Sequence, residues 1–153
     1  MSYSYIENLA YSLIVKYETK NPFEISKSLG IKIMYRSDFT KLKGMYAIIS
    51  DNKYIFINSN LEPEMQEIIC AHELGHALLH EDLAKSSILQ EFMLYDMKSR
   101  PEYEANLFAS SLLISSDDFL DLAHEGYDIF QIASILKTDI NLLLIKLSQL
   151  NKN

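Results

Sequence analysis

The segment IICAHELGHALLH, residues 68–80, is apolar apart from four side chains: His72, Glu73, His76 and His80. On a helix, at about 100° per residue, His72 and His76 lie one turn apart on one face, and Glu73 projects to the side of His72. Two imidazoles at this spacing can bind one metal ion, and zinc accepts nitrogen and oxygen ligands. The segment therefore predicts a metal site on a helix.

Glu73 is expected beside such a metal rather than on it. A carboxylate there can take a proton from water at the ion, which lowers the pKa of that water to about 7. His80 follows His72 by eight residues and has rotated away, so we expect it to support the site or to be exposed rather than to bind the metal. The alternative is that all four side chains form the solvated strip of a buried helix, which requires no histidine pair at a fixed spacing.

A hydrolytic zinc site needs a third protein ligand and one open position. The segment SRPEYEANLFASSLLI, residues 99–114, offers Glu102 and Glu104. On a helix Glu102 shares a face with Asn106, whereas Glu104 points with Ser111 toward the expected solvent side. We therefore predict Glu102 as the third metal ligand, with Glu104 as the alternative.

Two further features bear on the predicted site. Ser99 and Glu102 have the spacing of a capping box, in which the carboxylate would only accept a hydrogen bond from a backbone amide. Asn106 is a candidate to hydrogen-bond a ligand histidine and fix its tautomer. Two imidazoles and a carboxylate suit Zn2+, although manganese and iron accept similar donors and metal availability decides among them.

The elements that must position these residues can be predicted from hydrophobic spacing and caps. A helix over residues 4–17 is expected to bury a stripe formed by Ile6, Leu9, Leu13 and Val15. Asn21 as a cap and Pro22 at the first helical position predict a second helix over about 22–29.

Aromatic and β-branched residues then predict three strands, in the segments IKIMY, MYAIIS and YIFIN. Asp51 and Asn52 can adopt the left-handed conformations of a tight turn, so strands near 44–50 and 54–58 should be antiparallel neighbours. A substrate strand could add to the sheet edge beside Tyr54–Asn58. The fold class is α+β, with a small three-stranded antiparallel or mixed sheet.

Helical patterns follow, through His80 and again from Pro101 onward. A chain of 153 residues that is 48% hydrophobic is the size of one domain. We expect a single domain over 1–153, made of N-terminal helices (1–30), the small sheet (31–60), the active-site helix (61–80), a third-ligand helix (100–115) and a helical tail (116–153).

The tail carries apolar residues at helical spacing on both sides of a break near Thr138 and Asp139, which predicts two short helices. A helix-turn-helix DNA reader is one interpretation. The only lysines or arginines of the tail are Lys137, Lys146 and Lys152. We therefore favour a tail that packs against the core or forms a substrate-docking surface.

Composition limits the compartment and the partners. The net charge of −7 argues against nucleic-acid binding and suits a basic protein partner. The N-terminal residues lack a signal-peptide pattern and no apolar run is long enough to span a bilayer, so we expect a cytoplasmic protein. Cys70 lies among apolar neighbours and is expected to be a small core residue.

Five blocks in order, over roughly residues 20–115, resemble the ImmA/IrrE family of zinc metallopeptidases: NPFEISKSLGIKI, LKGMY, YIFIN, AHELGHALLH and EYEANLFASSLLI. The resemblance implies a zincin-like fold of gluzincin type with an HExxH active-site helix. It also implies His72, His76 and Glu102 as zinc ligands and Glu73 as the catalytic glutamate. Similar members come from phages and mobile elements and act as antirepressors that cleave a helix-turn-helix repressor.

The function expected from the residues and the resemblance is that of a zinc-dependent endopeptidase. Zinc polarises the peptide carbonyl, and Glu73 deprotonates the attacking water and later protonates the leaving amine. The protein substrate implied by the resemblance is a helix-turn-helix repressor. A different class stays open, that of a regulator that binds a repressor or toxin partner without cutting it, with a structural metal or none.

Overall fold

The computed structural model describes residues 2–86, 89–91 and 99–152, and the two limits of the predicted domain, residues 1 and 153, lie outside these ranges. The described elements in chain order are α1 (Tyr3–Tyr17), α2 (Pro22–Ser28), β1 (Lys32–Arg36), β2 (Gly44–Ile49), β3 (Asn52–Asn58), α3 (Pro63–Leu79), α4 (Glu81–Ser86), β4 (Leu89–Glu91), α5 (Arg100–Leu113), α6 (Ser116–His124), α7 (Ile129–Leu136) and α8 (Ile140–Leu150). The α+β class is confirmed. Within the described ranges, no helix combines the length and the apolar character needed to cross a membrane.

The first two helices begin at the predicted places. Asn21 caps α2, and its side-chain oxygen accepts hydrogen bonds from the amides of Phe23 and Glu24 at 2.9 and 3.3 Å. In α1 the residues Ile6, Ala10 and Leu13 are buried. The expectation that Val15 is buried is wrong, since it is 77% exposed. Val15 follows Leu13 by two residues, a rotation of about 200° that carries it to the opposite face.

The sheet is mixed, with strand order β1-β3-β2-β4. The three predicted strands are present, and β2 and β3 are antiparallel neighbours as expected. The short strand β4, for which the sequence suggested nothing, pairs antiparallel with β2. Strand β1 pairs parallel with β3, from Lys32 opposite Tyr54 to Arg36 opposite Asn58. The hypothesis of a substrate strand beside Tyr54–Asn58 is therefore wrong, because β3 is hydrogen-bonded on both sides.

The hairpin between β2 and β3 turns at Ser50 and Asp51. Both have positive φ, 50° and 65°, which is the conformation a two-residue type I′ turn requires. Asn52 already belongs to β3 and pairs with Ile49. The predicted turn at Asp51 and Asn52 is thus displaced by one residue.

Helix α3 packs against β2 and β3 on one side and against α5 on another. Helix α5 also contacts α1 and α8, so helices surround it on several sides. Its residues from Glu104 to Leu112 are all buried as a result. The third-ligand segment is therefore one of the most enclosed helices in the described part of the chain.

The tail packs on this core. A left-handed Lys137 ends α7, and Asp139 caps α8 through a hydrogen bond from the Asn141 amide, so the predicted break is confirmed. The Ser110 hydroxyl of α5 donates a hydrogen bond to the Leu142 carbonyl of α8 at 2.9 Å. Leu142 is fully buried. At least the last helix of the tail thus supports α5, as expected for packing against the core.

Candidate metal centre

Three predicted ligands lie together between α3 and α5. Nε2 of His72 and Nε2 of His76 are each 3.1 Å from an oxygen of the Glu102 carboxylate. The three prospective ligand atoms lie within 4.8 Å of one another. Two imidazole nitrogens and one carboxylate oxygen are the donor types of zinc sites that keep a position open. The donor set therefore fits a catalytic metal, and Nε2 of both histidines faces the Glu102 carboxylate.

The orientation of His72 is set by Asn106, one turn beyond Glu102 on α5. Nδ1 of His72 lies 2.8 Å from the Asn106 side-chain oxygen, and both residues are fully buried. An amide oxygen only accepts, so Nδ1 carries a proton, and Nε2, the ring nitrogen that faces Glu102, is the one that could bind a metal ion. The predicted role of Asn106 thus agrees with this geometry.

Glu102 combines a capped backbone with a carboxylate that faces the histidines. The Ser99 hydroxyl accepts a hydrogen bond from the Glu102 amide at 3.3 Å and begins α5. The side chain does not complete a capping box, because its oxygens contact His72 and His76. Burial is the largest influence on the pKa of Glu102 and raises it, but hydrogen bonds and charge from the two histidines lower it well below its usual value. An ionised carboxylate is the form that could bind a metal ion.

Glu73 is fully buried and lies outside the ligand group, beside the first residue of β2. A Cβ added at Gly44 would come within 3.5 Å of Glu73 Oε1 and would clash with Ile69 Cγ2. The sheet therefore approaches α3 closely at this point because residue 44 has no side chain. The sequence analysis missed this role of Gly44. The signal available was a glycine at the start of a predicted strand.

His80 and Glu104 form a buried pair behind His76. Nδ1 of His80 lies 2.9 Å from Nδ1 of His76, and Nε2 of His80 lies 3.1 Å from Glu104 Oε1. The expectation that Glu104 faces solvent with Ser111 is wrong, since both are buried on the enclosed helix α5. Burial, the largest influence, lowers the pKa of His80 below its usual value. A neutral imidazole can accept a hydrogen bond at one ring nitrogen and donate one from the other.

Comparison with known proteins identifies a matching family and several similar proteins. Residues 26–148 match the family Peptidase_M78, described as the IrrE N-terminal-like domain. The chain is 31% identical over 150 residues to "Metallopeptidase ImmA" of Bacillus subtilis (strain 168), which covers 95% of this chain and 85% of that protein. It is 38% identical over 112 residues to "Uncharacterized immunity region protein 2" of Bacillus phage phi105, covering 73% of this chain and 70% of that protein.

The fold is also similar to that of a solved structure, "Mycobacterium tuberculosis transcriptional regulator", with a TM-score of 0.61 and 17% sequence identity. The match covers 94% of this chain but 46% of that one, so this chain spans less than half the length of that protein. At this identity the likeness concerns the fold alone.

Proposed function

The chain belongs to the Peptidase_M78 family of IrrE N-terminal-like domains, and from that premise we propose that it is a zinc-dependent endopeptidase that hydrolyses a peptide bond in a protein substrate. The observation that carries the proposal is the convergence of His72, His76 and the Glu102 carboxylate beside the buried Glu73. Membership of a metallopeptidase family implies a metal, and the two imidazoles favour zinc among the common divalent ions. We assign His72, His76 and Glu102 as its ligands.

When bound, zinc polarises the scissile carbonyl and lowers the pKa of water. Glu73 takes a proton from the attacking water as the water oxygen bonds to the carbonyl carbon, and it then gives that proton to the amide nitrogen as the peptide C–N bond breaks. Its side chain is fully buried with Oε1 beside Gly44, which limits the positions its carboxyl can take. Asn106 keeps His72 in the tautomer that binds metal. The hydrolysis itself needs only water as co-reactant.

The substrate class is proposed from the relatives' names. One relative is named as the metallopeptidase ImmA and another as a phage immunity-region protein. Phage immunity is maintained by repressors, so we propose that this chain is an antirepressor that cleaves a cytoplasmic helix-turn-helix repressor. The net charge of −7 suits a basic partner of that kind. We further propose that residues 1–153 act as one metallopeptidase domain in the cytoplasm.

A Glu73→Gln variant tests the proposal. The amide retains the size of the side chain but cannot accept the proton, so zinc content should stay at one ion per chain while hydrolysis is lost. The assay incubates zinc-loaded parent and variant with a panel of purified helix-turn-helix repressors and detects cleavage by mass spectrometry. Exposed Glu24→Gln is the matched control and should cleave like the parent.

The competing function is that of a regulator that binds a repressor or toxin without cutting it. Under that function the parent and Glu73→Gln would bind a partner equally well and neither would produce fragments. Equal binding with no cleavage by zinc-loaded parent would therefore replace the peptidase proposal with this one.

A further inference from the structure

Three polar side chains, those of His80, Glu104 and Arg100, connect Nδ1 of His76 to the protein surface. Its Nδ1 lies 2.9 Å from Nδ1 of His80, whose Nε2 lies 3.1 Å from Glu104 Oε1. The other Glu104 oxygen, Oε2, lies 3.5 Å from Nε of Arg100, which is 64% exposed. His80 ends α3 and Glu104 belongs to α5, so these contacts connect the two helices that carry the proposed metal ligands.

The ring nitrogens that carry protons in this series of contacts can be inferred from the atoms that face them. Two Nδ1 atoms at 2.9 Å can form a hydrogen bond only if one carries a proton and the other does not. With a metal bound, Nε2 of His76 would have to present a lone pair, and the proton of His76 would then reside on Nδ1. His80 then accepts at Nδ1 and donates its Nε2–H to the carboxylate of Glu104. In this arrangement the donor of each histidine faces an acceptor.

We propose that His80 and Glu104 are positioning residues that hold His76 in its metal-binding tautomer and raise its basicity, an inference that rests on the proposed metal site. The carboxylate of Glu104 draws the Nε2 proton of His80, which makes Nδ1 of His80 a stronger acceptor for His76. The two glutamates of α5 thus have separate tasks. Glu102 is a ligand, and Glu104 acts on the metal through two imidazoles.

The two ligand histidines are therefore supported differently. His72 is held by the neutral amide of Asn106, whereas His76 is held by an imidazole backed by a carboxylate. Substitution of His80 or Glu104 should affect metal affinity through His76 alone.

Zinc affinity of the full chain, measured by competition with a chromogenic chelator, tests the proposal. His80→Phe retains a ring of similar size but removes the acceptor, and we expect zinc affinity to fall about ten- to hundredfold. His80→Asn places a side-chain oxygen near the position of Nδ1, so it should restore most of the affinity lost in His80→Phe. His124→Phe on the exposed part of α6 is the control and should bind zinc like the parent.

A double-mutant cycle separates positioning from packing. Glu104→Gln should weaken zinc binding when His80 is present and have no effect in the His80→Asn background, because Asn is too short to reach residue 104. The free energy of unfolding of the metal-free variants is measured in parallel. A role in packing alone would lower that energy and leave zinc affinity unchanged at temperatures where the chain is folded.

The outcomes for the two proposals are distinct. Zinc binding by His80→Phe as tight as that of the parent, or an equal effect of Glu104→Gln in both backgrounds, would overturn the positioning role. Absence of zinc binding in the parent would instead overturn the metal site itself. If His80→Phe does not fold, the effect of Glu104→Gln in the parent, compared with its effect in the His80→Asn variant, still decides the question.

Discussion

Gly75 and Ala105 bring α3 and α5 into backbone contact beside the proposed metal ligands. A Cβ added at Gly75 would lie 3.2 Å from both the Cα and the carbonyl oxygen of Ala105, and 3.3 Å from Phe108 Cβ. Gly75 directly precedes His76, and Ala105 follows Glu104. The close approach of the two helices is therefore what allows the Glu102 carboxylate to reach both histidines.

The substitution Gly75→Ala should destabilise the protein and weaken metal binding. On an open helix face, alanine in place of glycine stabilises by about 1 kcal/mol. Here the methyl group must push the helices apart, and overpacking of this kind costs about 1–3 kcal/mol. Urea unfolding of the metal-free protein measures the change. A variant more stable than the parent would show that the two helices can separate freely.

Metal removal should lower the stability of the parent. If zinc binds only the folded chain, a free concentration about a thousand times its Kd adds about 4 kcal/mol to the free energy of unfolding. Chelation with EDTA should abolish this gain and lower Tm. In the double variant His72→Ala, His76→Ala, zinc content should be zero and EDTA should leave Tm unchanged. The single variant His124→Ala serves as the control and should respond to EDTA as the parent does.

The variants Glu102→Gln and Glu104→Gln test which of the two glutamates of α5 is a metal ligand. An amide oxygen is a much weaker zinc ligand than the carboxylate now 3.1 Å from both histidines, so this variant should lose zinc under conditions where the parent retains one ion. Glu104→Gln should still bind one zinc at saturating metal, because residue 104 contacts His80 instead. Zinc content by atomic absorption after dialysis measures both. The reverse pattern would make Glu104 the ligand.

Cys70 should be chemically inert in the folded protein. The side chain is fully buried, and burial is the main cause that raises the pKa of its thiol far above the usual value. Because only the thiolate is nucleophilic, iodoacetamide should not alkylate native protein at about pH 8 and should alkylate it fully in urea. Mass spectrometry gives the extent of modification. Rapid alkylation of native protein would mean that α3 opens locally.

Local sequence patterns predicted the elements that depend on short-range interactions. The cap at Asn21 and the three strands were placed within a few residues of their observed positions. The histidine pair was predicted because a rigid helix fixes the angle between residues four positions apart. Within one helix or strand, the spacing of residues in the sequence determines which side chains share a face.

Long-range packing determined what the spacing could not. The strand pattern left β3 with an open edge, but the crossover of β1 to its far side closes that edge. Periodicity likewise assigned Glu104 to a solvent face, yet α5 has no such face over Glu104–Leu112, because α1, α3 and α8 all contact it. A hydrophobic period identifies one buried face only when the opposite face is exposed.

The sequence by itself determined a helix that presents His72 and His76 on one side and Glu73 beside them. Only the tertiary structure decided which acid of α5 faces the histidines and which one lies behind them at His80. The physical reason is that Glu102 and Glu104 are about 200° apart on one helix, so their roles depend on how α5 is rotated and how closely it approaches α3. That approach is limited by Gly75 and Ala105, residues that carry no chemistry of their own.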